Sequence, residues 1–273
     1  MTSFYCFGLF LLLANLVGSA PLEYLYSKCQ YLDLTHEFNS DTIYWPTYEP
    51  FKKETLFQGK TQGGYYYEAY KFCAAEHGGT HLDAPIHFSE HGRTVEQIPL
   101  QTFVGEAFVI DIKDKVQKNR DYALTVCDIQ DYEAKHGQIE DQAILIVNTG
   151  YGVHWPNKLL YMGSDVPHDA SNLHFPGVSP EAASWLISNR SIAVLGIDTA
   201  SIDPGPSKDF KVHQLIMGEN IPSFENLRNV DKLPPRGATI VALPMSITGG
   251  SGAPLRAFAV GWDGPDDPCR KTR

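Results

Sequence analysis

The chain alternates short apolar runs with polar stretches rich in glycine and proline, and most runs have the length of a strand. Residues 31–35 (YLDLT), 65–72 (YYYEAYKF), 105–112 (GEAFVIDI), 143–148 (AILIVN), 191–197 (SIAVLGI), 238–243 (ATIVAL) and 257–260 (AFAV) are dense in β-branched and aromatic side chains and predict strands. AILIVN and SIAVLGI are apolar at consecutive positions, which predicts central strands buried on both faces. Three segments predict helices. Residues 126–136 start after Thr125 as N-cap and stop at Gly137. Residues 179–189 carry Ser179 as N-cap and Pro180 at the first helical position, with Ala182, Ala183, Trp185, Leu186 and Ile187 as apolar positions. Residues 211–217 end near Gly218. The mixture predicts a mixed α/β fold with much sheet and long loops.

The apolar run at 7–17 (FGLFLLLANLV) is short for a membrane span and is followed by Gly18, Ser19 and Ala20. It reads as a secretory signal over residues 1–19, cut between 18 and 20, with an uncleaved anchor or a buried strand as the alternative. Without repeat or linker beyond it, residues 20–273 read as a single domain, soluble and extracellular. A formal net charge of −10 argues against nucleic acid or anionic lipid as partner. The secretory route permits disulfides among Cys29, Cys73, Cys127 and Cys269; a clasp between Cys29 and Cys269 suits their places near the ends, and Cys73 reads as a buried thiol. Asn189 begins a glycosylation sequon.

Chemistry concentrates in residues 77–88, HGGTHLDAPIHF. Gly78, Gly79, Thr80 and Pro85 disfavour a helix. In extended chain His77, His81, Asp83 and His87 share one parity and one face, with bends at Gly79 and Pro85 closing the gaps. Imidazole and carboxylate together suit Zn, Mn or a similar cation. The competing reading, a hydrogen-bonded turn capped by Asp83, leaves the choice of imidazole unexplained. His36, His91, His154, His168 and His174 read as structural or solvated. The tyrosines at 65–67 read as strand and interface surface, and the glycine-rich segment at 248–252 lacks the lysine and helix of a phosphate cradle.

HGGTHLDAPIHF resembles the H-x-G-T-H-x-D-x-P-x-H signature of the metal-dependent cyclase-like hydrolases, which include bacterial kynurenine formamidase and isatin hydrolase. The resemblance extends through Leu32–His36, Trp45-Pro46, residues 177–186 and 196–203, His213 and residues 225–227, nearly all of the chain beyond the signal. It implies a β-barrel-like core flanked by helices and further strands, usually in a homodimer. It implies that His77, His81 and Asp83 bind metal, that Asp83 bridges to a second divalent ion held by His213 and Glu225, and that His87 is the catalytic acid/base. Trp45 would contact an aromatic substrate, and the late glycine-rich loop would lie near the pocket. The implied reaction is metal-dependent hydrolysis of an aryl formamide or cyclic amide, with N-formyl-L-kynurenine as the first expectation. Isatin, another lactam or a lactone is the alternative substrate, and a secreted metal-containing binding protein without turnover is the alternative function.

Overall fold

The computed structural model describes residues 30–262. The signal at 1–19, Cys29 and Cys269 lie outside them. Twelve strands are present: β1 Tyr31–Asp33, β2 Lys52–Lys60, β3 Tyr66–Cys73, β4 His81–Asp83, β5 Val104–Asp111, β6 Ala123–Leu124, β7 Ile144–Asn148, β8 Gly177–Val178, β9 Val194–Ile197, β10 Ser223–Glu225, β11 Arg236–Pro244 and β12 Gly252–Val260. The α-helices are α1 Lys113–Val116, α2 Val126–His136, α3 Lys158–Met162, α4 Pro180–Asn189 and α5 Lys211–Gly218. The sheet order β1-β12-β11-β5-β7-β9-β10-β4 closes on itself through a β12–β4 pairing, so seven strands form a barrel and β1 extends one edge of β12.

The barrel has two halves. β5, β7, β9 and β10 run parallel, and the three crossovers that join them each contain a helix. β11, β12 and β4 close the ring antiparallel. Alternation along each strand sorts the apolar side chains into two cores. Phe108, Ile110, Leu145, Val147, Leu195 and Ile197 face outward and pack with Ile129 of α2, Leu186 of α4 and Ile216 of α5. Ala107, Val109, Ile144, Ile146 and Val194 face inward, where Ala238, Ala242, Ala253, Ala257 and Ala259 keep the lumen narrow. The parallel strands are therefore buried on both faces, as their unbroken apolar runs predict.

The helices end where their caps dictate. Thr125 Oγ1 accepts from Asp128 N while Asp128 reaches back to Thr125 N, and Gly137 ends α2 at φ +88°. Ser179 Oγ accepts from Ala182 N ahead of Pro180. Asn189 closes α4 in an exposed position.

Residues 77–88 bend where expected: Gly79 turns the chain at φ +57° and Pro85–His87 is a 3-10 turn, leaving only His81–Asp83 as strand. One expectation is corrected. Cys73 is exposed, because it lies on β3 of a hairpin with solvent on both faces. That hairpin also contains β2, whose lysine-rich sequence gives no strand signal. No helix among the described residues is long and apolar enough to cross a membrane.

Candidate metal centre

β4 is three residues long and pairs on both sides, with β10 and with β12. Its middle residue, Leu82, points into the lumen, so His81 and Asp83 point to the opposite face. The register sets Glu225 of β10 directly across from His81, while Phe224 joins Leu82 in the lumen. Cross-strand pairing thus places two sequence-distant ligand candidates side by side. His213 arrives from α5, whose first amides are held by Asp203: Val212 N and His213 N donate to its two oxygens at 2.9 and 3.0 Å. His77 enters from the loop before Gly79.

The resulting cluster is tight and dry. Asp83 Oδ1 lies 2.6 Å from His77 Nδ1 and 3.1 Å from His81 Nε2, and Asp83 Oδ2 lies 3.2 Å from His213 Nε2. Glu225 Oε1 is 3.2 Å from His213 Nε2, and its Oε2 is 3.6 Å from His81 Nε2. The other ring nitrogens are already committed. His81 Nδ1 faces the Gly79 carbonyl at 2.9 Å, and His213 Nδ1 faces Asp203 Oδ2 at 2.7 Å. Those acceptors draw the single proton of each neutral ring to Nδ1 and leave Nε2 as a lone pair. Lone pairs of buried imidazoles then meet carboxylate oxygens with no donor between them. That arrangement calls for positive charge, either protons or metal ions.

The protonation equilibria report the same demand. Burial opposes charge on Asp83, yet His77, His81 and the bond to His213 hold its carboxyl well below the usual range. Burial likewise works against His213, but Asp203, Asp83 and Glu225 hold its imidazolium well above the ordinary histidine value. Burial, then repulsion from Asp83, raises Glu225. Two groups satisfy the geometry of a metal site, His77/Asp83/His87 and His81/Asp83/Glu225, and Asp83 belongs to both. The donor set therefore fits a divalent cation bound through Asp83. His87 is nearer the ligands than its sequence position after Pro85 suggests: its ring stacks on His77 at 3.8 Å. Burial depresses its pKa from 6.5 to about 4, so it is neutral in neutral solution.

Above the cluster lies a cavity of about 240 Å³. Trp45 reaches it, packed 5.8 Å from Phe210, and Phe210 lies 5.3 Å from Phe88. Phe210 holds a left-handed backbone at φ +51°, a conformation that costs an aromatic residue roughly 1–2 kcal/mol. A larger cavity of about 550 Å³ opens beside His36 and Trp155. It is away from the ligand cluster, and its buried carboxylate, Asp198, is satisfied by Thr149 N and Oγ1 at 2.9 and 2.7 Å. His36 stacks on Trp155 at 4.1 Å with its Nε2 unpartnered.

The fold has known counterparts. A family model described as a cyclase matches residues 32–204. Isatin hydrolase A from Ralstonia solanacearum superposes with a TM-score of 0.78 at 32% identity, over 85% of this chain and 92% of that one. The chain belongs to the cyclase family. Its relatives there are hydrolases. Isatin hydrolase of Roseibium aggregatum is 29% identical over 194 residues, 68% of this chain and 72% of its own length. Kynurenine formamidase of Bacillus mycoides is 26% identical over 231 residues, 84% of this chain and 96% of its own. This cyclase-family chain brings together around one cavity all seven positions that its sequence nominates: His77, His81, Asp83, His87, His213, Glu225 and Trp45. His91, His154, His168 and His174 stay outside the cluster; His174 instead pairs with Asp121 at 2.7 Å. Sequence reading passes over Asp203, Phe210 and Glu76. Asp203 ends a matched segment and precedes His213 by ten residues, which is the one signal it offers.

Proposed function

We propose that this cyclase-family hydrolase opens an aryl amide with the help of two divalent ions, and that its preferred substrate is a compact cyclic amide of the isatin type. The observation that carries this reading is the set of His77, His81, His213 and Glu225 gathered around Asp83 on the floor of an aromatic-walled cavity. His77, His81 and Asp83 would hold one ion, and His213 and Glu225, sharing Asp83, would hold the other. Such ions polarise a carbonyl and make water a nucleophile near neutral pH. The rest is done by the chain. Trp45, Phe88 and Phe210 wall a flat ring and exclude water. Neutral His87 takes a proton from the attacking water and returns it to the leaving nitrogen as the C–N bond breaks.

N-formyl-L-kynurenine is the second reading, favoured by the formamidase relatives. Its amino-acid tail carries a carboxylate, and no Lys or Arg is among the described residues lining the cavity. A neutral bicyclic lactam asks for no such partner. The deciding experiment measures metal content and compares turnover of isatin, N-formyl-L-kynurenine and small lactones, with and without chelator. A well-folded protein that takes up no divalent ion overturns the mechanism. Faster turnover of N-formyl-L-kynurenine reverses the substrate order, and failure of every substrate with metal bound favours a binding protein.

The same proposal includes secretion and a homodimer. The β2–β3 hairpin exposes Leu56, Tyr65, Tyr66 and Phe72 on a two-stranded arm, which is marginal without a partner. Residues 52–73 hold four lysines and two glutamates in a chain of net charge −10, so the arm complements the body of a second copy.

A further inference from the structure

Each candidate metal-binding histidine has a partner on its outer nitrogen, but the three partners differ in origin. His81 uses the carbonyl of Gly79, two residues before it. His213 uses Asp203 of the segment leading into its own helix. His77 uses Ser251, 174 residues away in the glycine-rich loop before β12: Nε2 lies 2.9 Å from Ser251 Oγ. Ser251 Oγ in turn lies 2.7 Å from Glu76 Oε2.

We propose that Glu76 and Ser251 are positioning residues that act through His77, a relay in which His77 Nε2–H donates to Ser251 Oγ and the Ser251 hydroxyl donates to Glu76. The proposal rests on reading the site as a metal centre and names what aims one of its ligands. The direction of the relay is set at its carboxylate end. Glu76 Oε2 takes the amides of Ser251 and Gly252 at 2.9 and 3.2 Å, so it stands as an acceptor toward the loop. The one hydroxyl proton of Ser251 is therefore spent on Glu76, and its lone pairs are left to face His77. That keeps the proton of a neutral His77 on Nε2 and turns the Nδ1 lone pair toward Asp83 Oδ1, 2.6 Å away.

Gly252 supplies the room. A Cβ there would stand 2.5 Å from His77 Cε1 and 2.7 Å from the Leu82 carbonyl, so the ring occupies space that only glycine leaves open. Gly252 is also paired with Asp83 in the β4–β12 ladder. The loop that aims His77 is thus fixed in register to the shared carboxylate. Because His87 stacks on the same ring, the relay orients it as well.

The test uses the full chain with Ser251→Ala, Glu76→Gln and the double variant. Zn²⁺ or Mn²⁺ affinity is read by competition with a chromophoric chelator, and the His77 ring by ¹⁵N NMR of the metal-free protein. Ser251→Ala should weaken one of two ions by about 10–100-fold and leave the other in place. Glu76→Gln, whose amide oxygen still accepts, should weaken it less. The double variant should be no worse than Ser251→Ala alone, because both act through one bond. In wild type Nε2 should carry its proton in the metal-free state, and Ser251→Ala should lose that hydrogen-bonded signal. Unchanged metal affinity in Ser251→Ala, additive losses in the double variant, or a bare Nε2 in wild type each overturns the relay. A wild type that binds no ion yet shows the Nε2 signal, lost in Ser251→Ala, overturns the metal-centre reading and leaves the relay standing.

Discussion

Asp83 and Asp198 are both buried carboxylates, and their surroundings differ in kind. Asp198 is met by donors, the amide and hydroxyl of Thr149 and the amide of Gly152. Asp83 is met by ring nitrogens, and those of His81 and His213 have their protons drawn to the far side of the ring. The first is a closed structural account. The second is satisfied only when positive charge arrives. Burial alone therefore does not mark a functional carboxylate; the polarity of its neighbours does.

The sharpest way to break this contrast is to exchange the two residues' fates. Asp83→Asn removes the carboxylate charge common to both ligand groups. Elemental analysis should find both ions lost, with hydrolysis falling about 10³-fold or more, the several kcal/mol that metal ions contribute to transition-state charge. Asp198→Ala should leave metal content untouched. Urea titration should show a loss of about 1–3 kcal/mol, because the Thr149 donors are stranded.

A third measurement concerns His36, on the Asp198 side. Burial, helped by the charge of Arg228, pushes its pKa from 6.5 to about 4. Between those values the unfolded chain takes a proton that the folded chain refuses. Its contribution to stability is complete above about pH 6.5 and is lost as the pH falls toward 4, a change on the order of 3 kcal/mol. His36→Phe keeps a ring on Trp155 and should flatten that part of the urea-stability profile. A slope equal to wild type would show that His36 is not refusing the proton. The smallest expected effect is at Phe210. Phe210→Gly relieves the left-handed backbone while removing an aromatic wall, so stability should move by no more than about 1 kcal/mol. KM for an aryl substrate should rise about tenfold, the worth of one apolar contact surface.

Much of this was legible in the sequence, for reasons that are local. α2 and α4 carry their caps beside them, and β7 and β9 announce double burial by unbroken apolar runs. The ligand types at His77, His81 and Asp83 were legible too, since the three crowd into one motif with His87. What was not legible depends on distance. β4 and β10 are too short to show a period, and they exist because each completes the other's ladder. Ser251 reaches His77 across 174 residues, so no window along the chain joins them. The strand β2 reads as polar because neither face of the arm enters a core.

The ring of strands shuts at β4, between β10 and β12. His81 and Asp83 sit on the closing strand, and one of its flanks begins only at Gly252. A growing polypeptide therefore makes His81 and Glu225, and can pair them, before the second flank of β4 exists. The Ser251 contact to His77 and the Gly252 pairing with Asp83 are thus late long-range contacts of the slow kind. The shared carboxylate is held from both sides only once the ring has shut.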